Sequence, residues 1–354
     1  MKIDERVRGS LVGGAIGDAL GWPIEFEDLT RIRHRHGQRG ITGFLGEYGP
    51  PQPVTDDTQM TLFSAEGLLR CPPGADPVPV LRASYLRWLH TQNVSGPGDR
   101  PDGWLLNHHF LYAVRAPGSA CMSGLRRQQR GYLPPDGLGH PGPVNEHSKG
   151  CGTVMRSAPF GLAGFGPDRA FEVAALCAQL THGHPTGYLA AGAFAALVDR
   201  VVSGMTLPKA VRETIVQVRA CRGGAEVADA LDLAVTLADT EPPTPETVER
   251  VGAGWIAEEC LAIAVHCGLR AENGDIAAAL LLSVNHSGDS DSTGAVAGNL
   301  IGAAHGISAL PREWAAAVEG RAVLLQVADD LVANFFGHDR GSVAERYPHN
   351  PPAA

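Results

Sequence analysis

Apolar residues recur at helical spacing along most of the chain, and this restricts the possible folds more than any other feature. From Asp4, which we predict to be an N-cap, Val7, Leu11, Ala15 and Ala19 form one apolar stripe. The same spacing recurs in 60–69, 78–89, 171–180, 187–202, 225–238, 255–267, 276–284, 293–307 and 314–336. Alternating strands of convincing length are absent from the sequence. The pattern predicts an all-α orthogonal helical bundle, in which abundant Ala, Leu and Gly let helices pack closely.

Three irregular stretches interrupt this pattern. Residues 27–54, 92–103 and 113–150 are rich in Gly, Pro, His and Arg, and we expect them to be loops around a functional site. No linker separates two independently periodic halves of the 354 residues. We therefore predict a single domain over 1–340, followed by a C-terminal tail at 341–354.

Composition limits the partners that we expect. The net charge of -9 and the pI near 5.8 argue against an extended nucleic-acid surface, although one nucleotide in a pocket remains compatible. There is no apolar run long enough for a membrane span and no signal-peptide core, so we expect a cytoplasmic protein that does not bind membranes. We also expect the protein to be a monomer. Seven cysteines without a CxxC pair suggest neither a disulfide framework nor a zinc knuckle.

Two acidic clusters lie more than two hundred residues apart, at 55–58 (Thr-Asp-Asp-Thr) and 289–293 (Asp-Ser-Asp-Ser-Thr). Each is typical of a helix N-cap, because Asp and Thr side chains accept hydrogen bonds from first-turn amides. A cap needs only one oxygen, however, and each cluster has several. Hard divalent cations prefer such oxygen ligands. The surplus favours two halves of one metal site.

The segment 13–25 also departs from simple helical packing. Its glycines permit close approach of another helix, and the apolar stripe contains Asp18, which needs a partner if buried. We expect Pro23 to end the helix and to leave Glu25 just beyond it.

Two further segments are candidate ligand contacts. The small-residue stretch 148–159 can offer free amides to a phosphate, but it is neither a P-loop nor a Rossmann fingerprint. The turn 181–185 contains His182 and His184, whose spacing of two across a Gly does not match the helical arrangement of zinc ligands. We favour a turn in which a histidine contacts a bound ligand.

Five motifs in a fixed order resemble the ADP-ribosylglycohydrolase family, which includes ADP-ribosylarginine hydrolases and dinitrogenase reductase activating glycohydrolases. The motifs are 17–21 with Glu25, 55–60, 148–159 with Met155-Arg156, Thr181-His182, and 288–294. They span most of the chain.

The resemblance implies an all-α fold of that type with a binuclear magnesium or manganese centre that removes ADP-ribose from a modified acceptor. By position, the metal ligands would be Thr55, Asp56, Asp57, Asp289, Asp291 and Ser292. Glu25 would activate the attacking water or gate the site. Either Asp56 or Glu146 would protonate the leaving group.

The resemblance also implies an ADP-ribose pocket. The diphosphate or distal ribose would contact a set drawn from the small-residue loop and the histidine turn: Ser148, Gly150, Cys151, Gly152, Thr153 and His182. The Asp-Ser-Asp-Ser-Thr cluster is similar to that of arginine-directed members, so we expect ADP-ribosylarginine as substrate, with serine-, acetyl- and nucleic-acid-linked ADP-ribose as the other candidates.

Other functions remain open at this point. The chain can be a toxin-neutralising immunity protein or a catalytically silent ADP-ribose-binding protein of the same fold, although all four aspartates of the two clusters are present. A metal-dependent phosphohydrolase also uses paired ions and carboxylates.

Overall fold

The regular secondary structure of this chain is helical. The computed structural model describes residues 1–99, 102–337 and 341–349. Across these ranges the α-helices are α1 (Ile3–Gly21), α2 (Leu29–His36), α3 (Asp56–Leu69), α4 (Pro77–Thr91), α5 (Ser119–Arg130), α6 (Ala158–Leu162), α7 (Pro167–Ala178), α8 (Pro185–Val202), α9 (Leu207–Ala220), α10 (Ala225–Thr240), α11 (Pro245–Val251), α12 (Ala257–Ala271), α13 (Ile276–Leu282), α14 (Ser290–His305), α15 (Arg312–Ala317), α16 (Arg321–Phe335) and α17 (Gly341–Arg346). These ranges contain two isolated β-bridges and no sheet. The predicted all-α class is confirmed.

Two helices lie where the sequence predicted loops. Within 27–54, α2 forms with only Leu29 and Ile32 buried, and Asp28 caps it by accepting from the Arg31 amide at 2.8 Å. Within 113–150, α5 forms although arginines and glutamines fill its second half. Both helices bury a narrow stripe and expose a charged face, so few apolar residues identify them in the sequence.

The predicted helix 314–336 is two helices. The chain leaves α15 after Ala317 and re-enters a helix at Arg321, with Gly320 in a left-handed conformation at φ +70°. The backbone between them bonds to another segment instead of continuing the helix: the Gln52 amide donates to Ala317 O at 2.8 Å, and the Glu319 amide donates to Gln52 O at 2.9 Å.

Helices α1 and α14 pack against each other antiparallel and in close contact. Glycines four residues apart face each other, with Gly13 against Gly298 and Gly17 against Gly294. A Cβ added at Gly17 would lie 1.8 Å from the Gly294 carbonyl oxygen, so a larger side chain would push the helices apart. Because the pair is antiparallel, the C-terminal end of α1 lies beside the N-terminal end of α14. The predicted N-cap Asp4 was wrong, since α1 begins at Ile3 and Asp4 lies in its first turn.

Asp18 in α1 positions the start of α3. It is fully buried, and its carboxylate accepts from the amides of Thr55 (3.0 and 3.1 Å) and Thr58 (3.1 Å) and from the Thr58 hydroxyl (2.5 Å). These donors are the partners that the sequence analysis expected for a buried Asp18. As a result, the N-termini of α3 and α14 both converge on the C-terminal end of α1.

The C-terminal part of the described chain packs on α16. The Tyr347 hydroxyl donates to Asp330 Oδ2 at 3.0 Å, and Arg346 forms an ion pair with the same carboxylate at 2.8 Å. Residues 350–354 of the predicted tail lie outside the described residues. Buried apolar side chains from Val7 to Tyr347 form one continuous cluster. Across the described ranges, no helix has both the length and the apolar character that a bilayer crossing requires.

Candidate active site

A cavity of about 450 Å³ opens where the N-termini of α3 and α14 meet the end of α1. Five carboxylates line it, and among the described residues its wall contains neither a lysine nor an arginine. The five are Glu25, Asp56, Asp57, Asp289 and Asp291. The two predicted acidic clusters therefore meet at one place, together with Glu25.

Glu25 reaches this cavity because of how α1 ends. The helix stops at Gly21, and a 3-10 turn at Trp22–Ile24 carries Pro23 and leads into Glu25. The side chain of Glu25 is 6% exposed. One ligand atom from each of Glu25, Asp289 and Asp291 lies within 4.8 Å of the others. The sequence placed Glu25 just beyond the helix but did not place it among the possible metal ligands.

The acidic clusters also act as helix caps. Thr55 Oγ1 accepts from the Asp57 amide at 3.3 Å, and Asp289 Oδ1 accepts from the Ser292 amide at 3.4 Å. Thr55 is fully buried and does not form part of the cavity wall, whereas Ser292 does. Both interpretations of the clusters are therefore compatible, because one residue of each cluster caps a helix and all four aspartates line the cavity. The positive ends of two helix dipoles also favour negative charge here.

The donor set fits a hard divalent cation. Glu25 Oε2 and Asp57 Oδ1 are buried oxygens without a hydrogen-bond partner among the described residues. Buried polar atoms are normally satisfied, and buried charges are paired or coordinate a metal. Carboxylate oxygens are also the ligands that Mg²⁺ and Mn²⁺ prefer. The cluster could hold a metal ion at this position.

The pKa values of these carboxyl groups reflect the absence of a cationic partner. Burial first, and then the charges of neighbouring carboxylates, raise the pKa of Glu25 and of Asp56 to about 8. The same causes raise the pKa of Asp57 and of Asp291 well above the usual range. Without a cation, the centre therefore retains protons at neutral pH.

The small-residue loop forms part of the cavity wall beside the second acidic cluster. Gly150, Cys151 and Gly152 line the cavity, but Ser148 and Thr153 do not. The Thr153 hydroxyl points away and donates to Gly187 O at 2.8 Å. Backbone bonds join the loop to the segment before α12, because the Cys151 amide donates to Trp255 O at 3.1 Å.

Cys151 contacts the second acidic cluster directly. Its thiol lies 2.7 Å from Asp289 Oδ2 and 3.5 Å from Ser292 Oγ. Burial and the Asp289 charge raise the pKa of this thiol well above its usual range, so the sulfur keeps its proton and donates it to the carboxylate. The sequence did not indicate this contact.

The two histidines of the 181–185 turn have different roles. His182 is 2% exposed and lines the cavity, with its ring beside Gly150 and Gly152. His184 instead caps α8, where its Nδ1 accepts from the Thr186 amide at 3.2 Å. The structure thus brings one of them to the cavity. Glu146 is exposed beside His147 and is not part of the wall.

The rim contains residues that the sequence analysis missed. Phe26 (75% exposed) and Trp255 (42% exposed) stack with ring centroids 5.7 Å apart at the cavity mouth. The start of α5 forms the other side, and the Gly118 amide donates to Asp56 Oδ2 at 3.2 Å. Exposed aromatics without helical spacing give little signal in a single sequence.

The other end of α3 also borders a cavity, of about 400 Å³, with very different walls. Apolar side chains such as Leu68 and Phe335 line most of it, and no carboxylate is among its described lining residues. Of these two large cavities, only the one at the N-terminus of α3 has carboxylates among its described lining residues.

The sequence matches the ADP-ribosylglycohydrolase family over residues 1–341, and the chain belongs to that family. It is a hydrolase that acts on glycosyl bonds. The resemblance inferred from the five motifs is confirmed.

Relatives and one solved structure agree with this assignment. The chain is 26% identical to the ADP-ribosyl-[dinitrogen reductase] glycohydrolase of Rhodospirillum rubrum, over 88% of this chain and 90% of the relative. It is 28% identical to human ADP-ribosylhydrolase ARH3, over 89% of each protein. A solved structure titled "ADP-ribosylglycohydrolase-related protein complex" shares the fold, with a TM-score of 0.62, 24% identity, and coverage of 95% of this chain and 98% of the other.

Proposed function

We propose that this chain is an ADP-ribosyl hydrolase that cleaves the N- or O-glycosidic bond between ADP-ribose and an acceptor, with ADP-ribosylarginine as the acceptor that we favour. The observation that carries the proposal is the group of five carboxylates that converge on one cavity without a lysine or arginine in its described wall. Family membership supplies the bond type, and the cavity supplies a place for the reaction.

We assign the metal-ligand role to both clusters, with Thr55, Asp56 and Asp57 from the first and Asp289, Asp291 and Ser292 from the second. Six oxygen-bearing side chains suit two Mg²⁺ or Mn²⁺ ions better than a soft-metal site. Such ions, when bound, would orient the ribose hydroxyls and make a water molecule more acidic. Thr55 is the least accessible of the six, because it is fully buried and off the cavity wall.

The proposed reaction is hydrolysis at the anomeric carbon of ribose. The water oxygen forms a bond to this carbon as the bond to the acceptor nitrogen or oxygen breaks, and the acceptor leaves with a proton. Glu25, at the cavity floor, is the group that we assign to accept the proton of the water. Surrounding carboxylates stabilise the positive charge that develops on the ribose ring.

Asp56 is the group that we assign to protonate the acceptor. Its Oδ2 accepts from the Gly118 amide at 3.2 Å, which holds the carboxyl group beside the start of α5 at the cavity wall. The exposed position of Glu146 makes it the weaker of the two candidates.

The diphosphate of ADP-ribose is assigned to the loop at 150–153. The 3-10 turn at Cys151–Thr153 begins at the cavity wall. Its Cys151 amide is already bonded to Trp255 O, so we assign the contact to the amides that follow, which have no acceptor within the turn. His182 lies on the same side of the cavity. The side chain of Lys149 is directed elsewhere, because it forms ion pairs with Glu226 and Glu258.

An arginine acceptor suits the mouth of the cavity. A guanidinium group meets carboxylates on the floor and no described cationic side chain on the wall. The stacked Phe26 and Trp255 rings offer aromatic faces on which a guanidinium packs favourably. A serine or acetyl acceptor would use neither feature.

Product analysis tests the proposal. We expect the wild-type protein with Mg²⁺ or Mn²⁺ to convert an ADP-ribosylarginine peptide into unmodified peptide and intact ADP-ribose, detected by mass spectrometry. A panel with serine-, acetyl- and nucleic-acid-linked ADP-ribose measures acceptor preference. AMP without ADP-ribose would instead indicate a phosphohydrolase.

A double variant, Asp57→Ala with Asp289→Ala, separates hydrolysis from binding. If the chain neutralises an ADP-ribosylating toxin by contact alone, the double variant should still capture the toxin. If it acts by hydrolysis, the variant should lose protection together with product formation.

A further inference from the structure

A buried arginine lies directly behind one wall of the cavity. Arg156 is 1% exposed and forms no ion pair with any described residue. Its Nη2 donates to Thr181 Oγ1 at 2.6 Å, and its Nη1 lies 3.3 Å from Cys121 Sγ and 3.8 Å from Met60 Sδ. The guanidinium carbon is 4.7 Å from the centroid of the Tyr85 ring. All these partners are neutral.

Such a cation is costly for the fold alone. A buried charge is destabilising unless it is paired, and an apolar side chain of similar volume often packs at least as well. The charge nevertheless lies one side chain from the cavity. Cys121 and His182 both line the wall, and Arg156 reaches the first directly and the second through Thr181. An anion in the cavity would complement it.

The contacts of Thr181 also fix a proton. A guanidinium only donates, so Thr181 Oγ1 must accept from Arg156 and direct its own hydrogen to another acceptor. Two acceptors are in reach: His182 Nδ1 at 2.8 Å and Ala178 O at 3.3 Å. The shorter contact is to the histidine. When Nδ1 accepts this hydrogen, the proton of the neutral imidazole is on Nε2.

His182 Nε2 faces the loop that we assign to the diphosphate. A Cβ added at either Gly150 or Gly152 would lie 3.4 Å from this nitrogen. Burial, and then the Arg156 charge, lower the pKa of His182 to about 3, so the ring stays neutral across the physiological range. An N–H donor, not an imidazolium, therefore faces the cavity.

We propose that Arg156 is a positioning residue, which through Thr181 holds the His182 proton on Nε2 and places a buried positive charge behind the subsite for the diphosphate of ADP-ribose. The identity of the anion rests on the proposed function, but the placement of the proton does not. Arg156 and Thr181 act through His182 and touch no substrate atom themselves.

The proton placement is measured in the ligand-free wild-type protein. Long-range ¹H–¹⁵N correlation NMR distinguishes the two neutral tautomers, and the spectrum of His182→Gln assigns the signal among the 14 histidines. We expect the Nε2–H tautomer in the wild type and in Thr181→Ser. A proton on Nδ1 of the wild-type protein would overturn the proposal, whatever the behaviour of the Arg156 and Thr181 variants.

The effect on the anion is measured by calorimetric titration of ADP-ribose at saturating Mn²⁺. We expect Thr181→Val and Arg156→Met to weaken binding about tenfold or more, because each removes the support of a charge-assisted hydrogen bond. Thr181→Ser should stay within about threefold of the wild type. Thermal melts identify any variant that fails to fold.

Two results would contradict the claim that Arg156 and Thr181 support binding of the diphosphate. Unchanged ADP-ribose affinity in a folded Thr181→Val would show that the relay has only a structural role. An Arg156→Met variant with tighter Mn²⁺ binding and unchanged ADP-ribose affinity would show that Arg156 only offsets the aspartates. Failure of the proposed function looks different, since hydrolysis would be absent while ADP-ribose binding still weakened in Thr181→Val.

Discussion

The two ends of helix α3 both bury carboxylates, but only the C-terminal end pairs them with arginines. At the C-terminal end, Glu66 is fully buried, and its Oε2 accepts from Arg87 Nε at 2.9 Å and from Ser84 Oγ at 3.1 Å. Arg70 lies 3.9 Å from the other oxygen. At the N-terminal end, Asp56 and Asp57 meet three more carboxylates and, among the described residues, no cationic side chain within ion-pair distance.

This difference separates a cluster whose charges are paired within the chain from one whose charges are not. The charge of Glu66 is paired by two arginines of the chain itself, although its Oε1 accepts no hydrogen bond from a described residue. The acidic centre is left incomplete by the chain, with unpartnered oxygens on Glu25 and Asp57. Cations from solution would complete it. The predictions below treat the two ends of α3 as a matched pair.

The largest expected effect is on activity. Asp289→Asn keeps the shape of the side chain but removes a charge from the acidic centre. We expect kcat for ADP-ribosylarginine hydrolysis to fall about a thousandfold or more, because the stabilisation lost is several kcal/mol and each 1.36 kcal/mol is tenfold in rate. Steady-state kinetics measure it. The exposed Asp239→Asn is the matched control and should retain full activity. Near-normal activity in Asp289→Asn would disprove the assignment of this carboxylate.

The corresponding change at the other end of α3 should affect stability instead. Glu66→Ala leaves Arg87 and Arg70 buried with only the exposed Asp102 as an anionic partner, and breaking a buried pair typically costs about 3–5 kcal/mol. We expect a loss of this size in the free energy of unfolding, measured by urea denaturation. Mn²⁺ affinity of the folded variant should stay unchanged. Loss of Mn²⁺ binding without loss of stability would reverse the roles that we give to the two ends.

The third prediction concerns the pH dependence of the metal-free protein. The pKa values of Glu25 and Asp56 are raised to about 8 in the folded state, against about 4 when unfolded. Between these values the folded state binds more protons than the unfolded state, so stability falls as pH rises from about 4 to about 8. We expect the melting temperature in EDTA to decrease across this range.

Divalent cations should reverse this trend, because they bind the deprotonated carboxylates. Melting curves with Mn²⁺ should show stability that increases with pH over the same range. In the Asp57→Asn, Asp289→Asn double variant, the pH dependence in EDTA should be weaker, since two of the interacting charges are gone. Identical curves in EDTA and in Mn²⁺ would argue against a metal centre.

The smallest predicted effect tests Thr55, which both caps α3 and is a proposed ligand. Thr55→Ala removes the oxygen that accepts from the Asp57 amide, and cap removal typically costs about 1 kcal/mol. Thr55→Ser keeps the oxygen and should be close to the wild type. Calorimetry then separates the two roles: unchanged Mn²⁺ affinity in Thr55→Ala would remove Thr55 from the ligand set and leave it as a cap.

Much of the fold was predictable because its cause is local. Helical periodicity identified α1, α3, α4, α8, α10, α12 and α14, and Pro23 correctly indicated the end of α1. The elements that the sequence analysis missed have two kinds of cause, one local and one tertiary. Helices α2 and α5 bury few apolar residues, and the break between α15 and α16 depends on a tertiary contact with Gln52.

The convergence of the acidic clusters depends on packing and not on local pattern. Their charge density suggested a shared site, and the family resemblance placed their residues together. The physical cause is the antiparallel glycine contact of α1 with α14 and the hold of Asp18 on α3. No spacing rule relates residues so far apart in sequence. The contact of Cys151 with Asp289 and the aromatic rim are likewise products of the tertiary structure.

Mn²⁺ titration of EDTA-treated protein tests the central claim most directly, namely that solution cations complete the acidic end of α3. Isothermal calorimetry should detect binding to the wild type and to Glu66→Gln, with a stoichiometry of two, and none to the Asp57→Asn, Asp289→Asn double variant. A wild-type protein that binds no Mn²⁺ or Mg²⁺, or a folded double variant that binds as tightly as the wild type, would contradict the account.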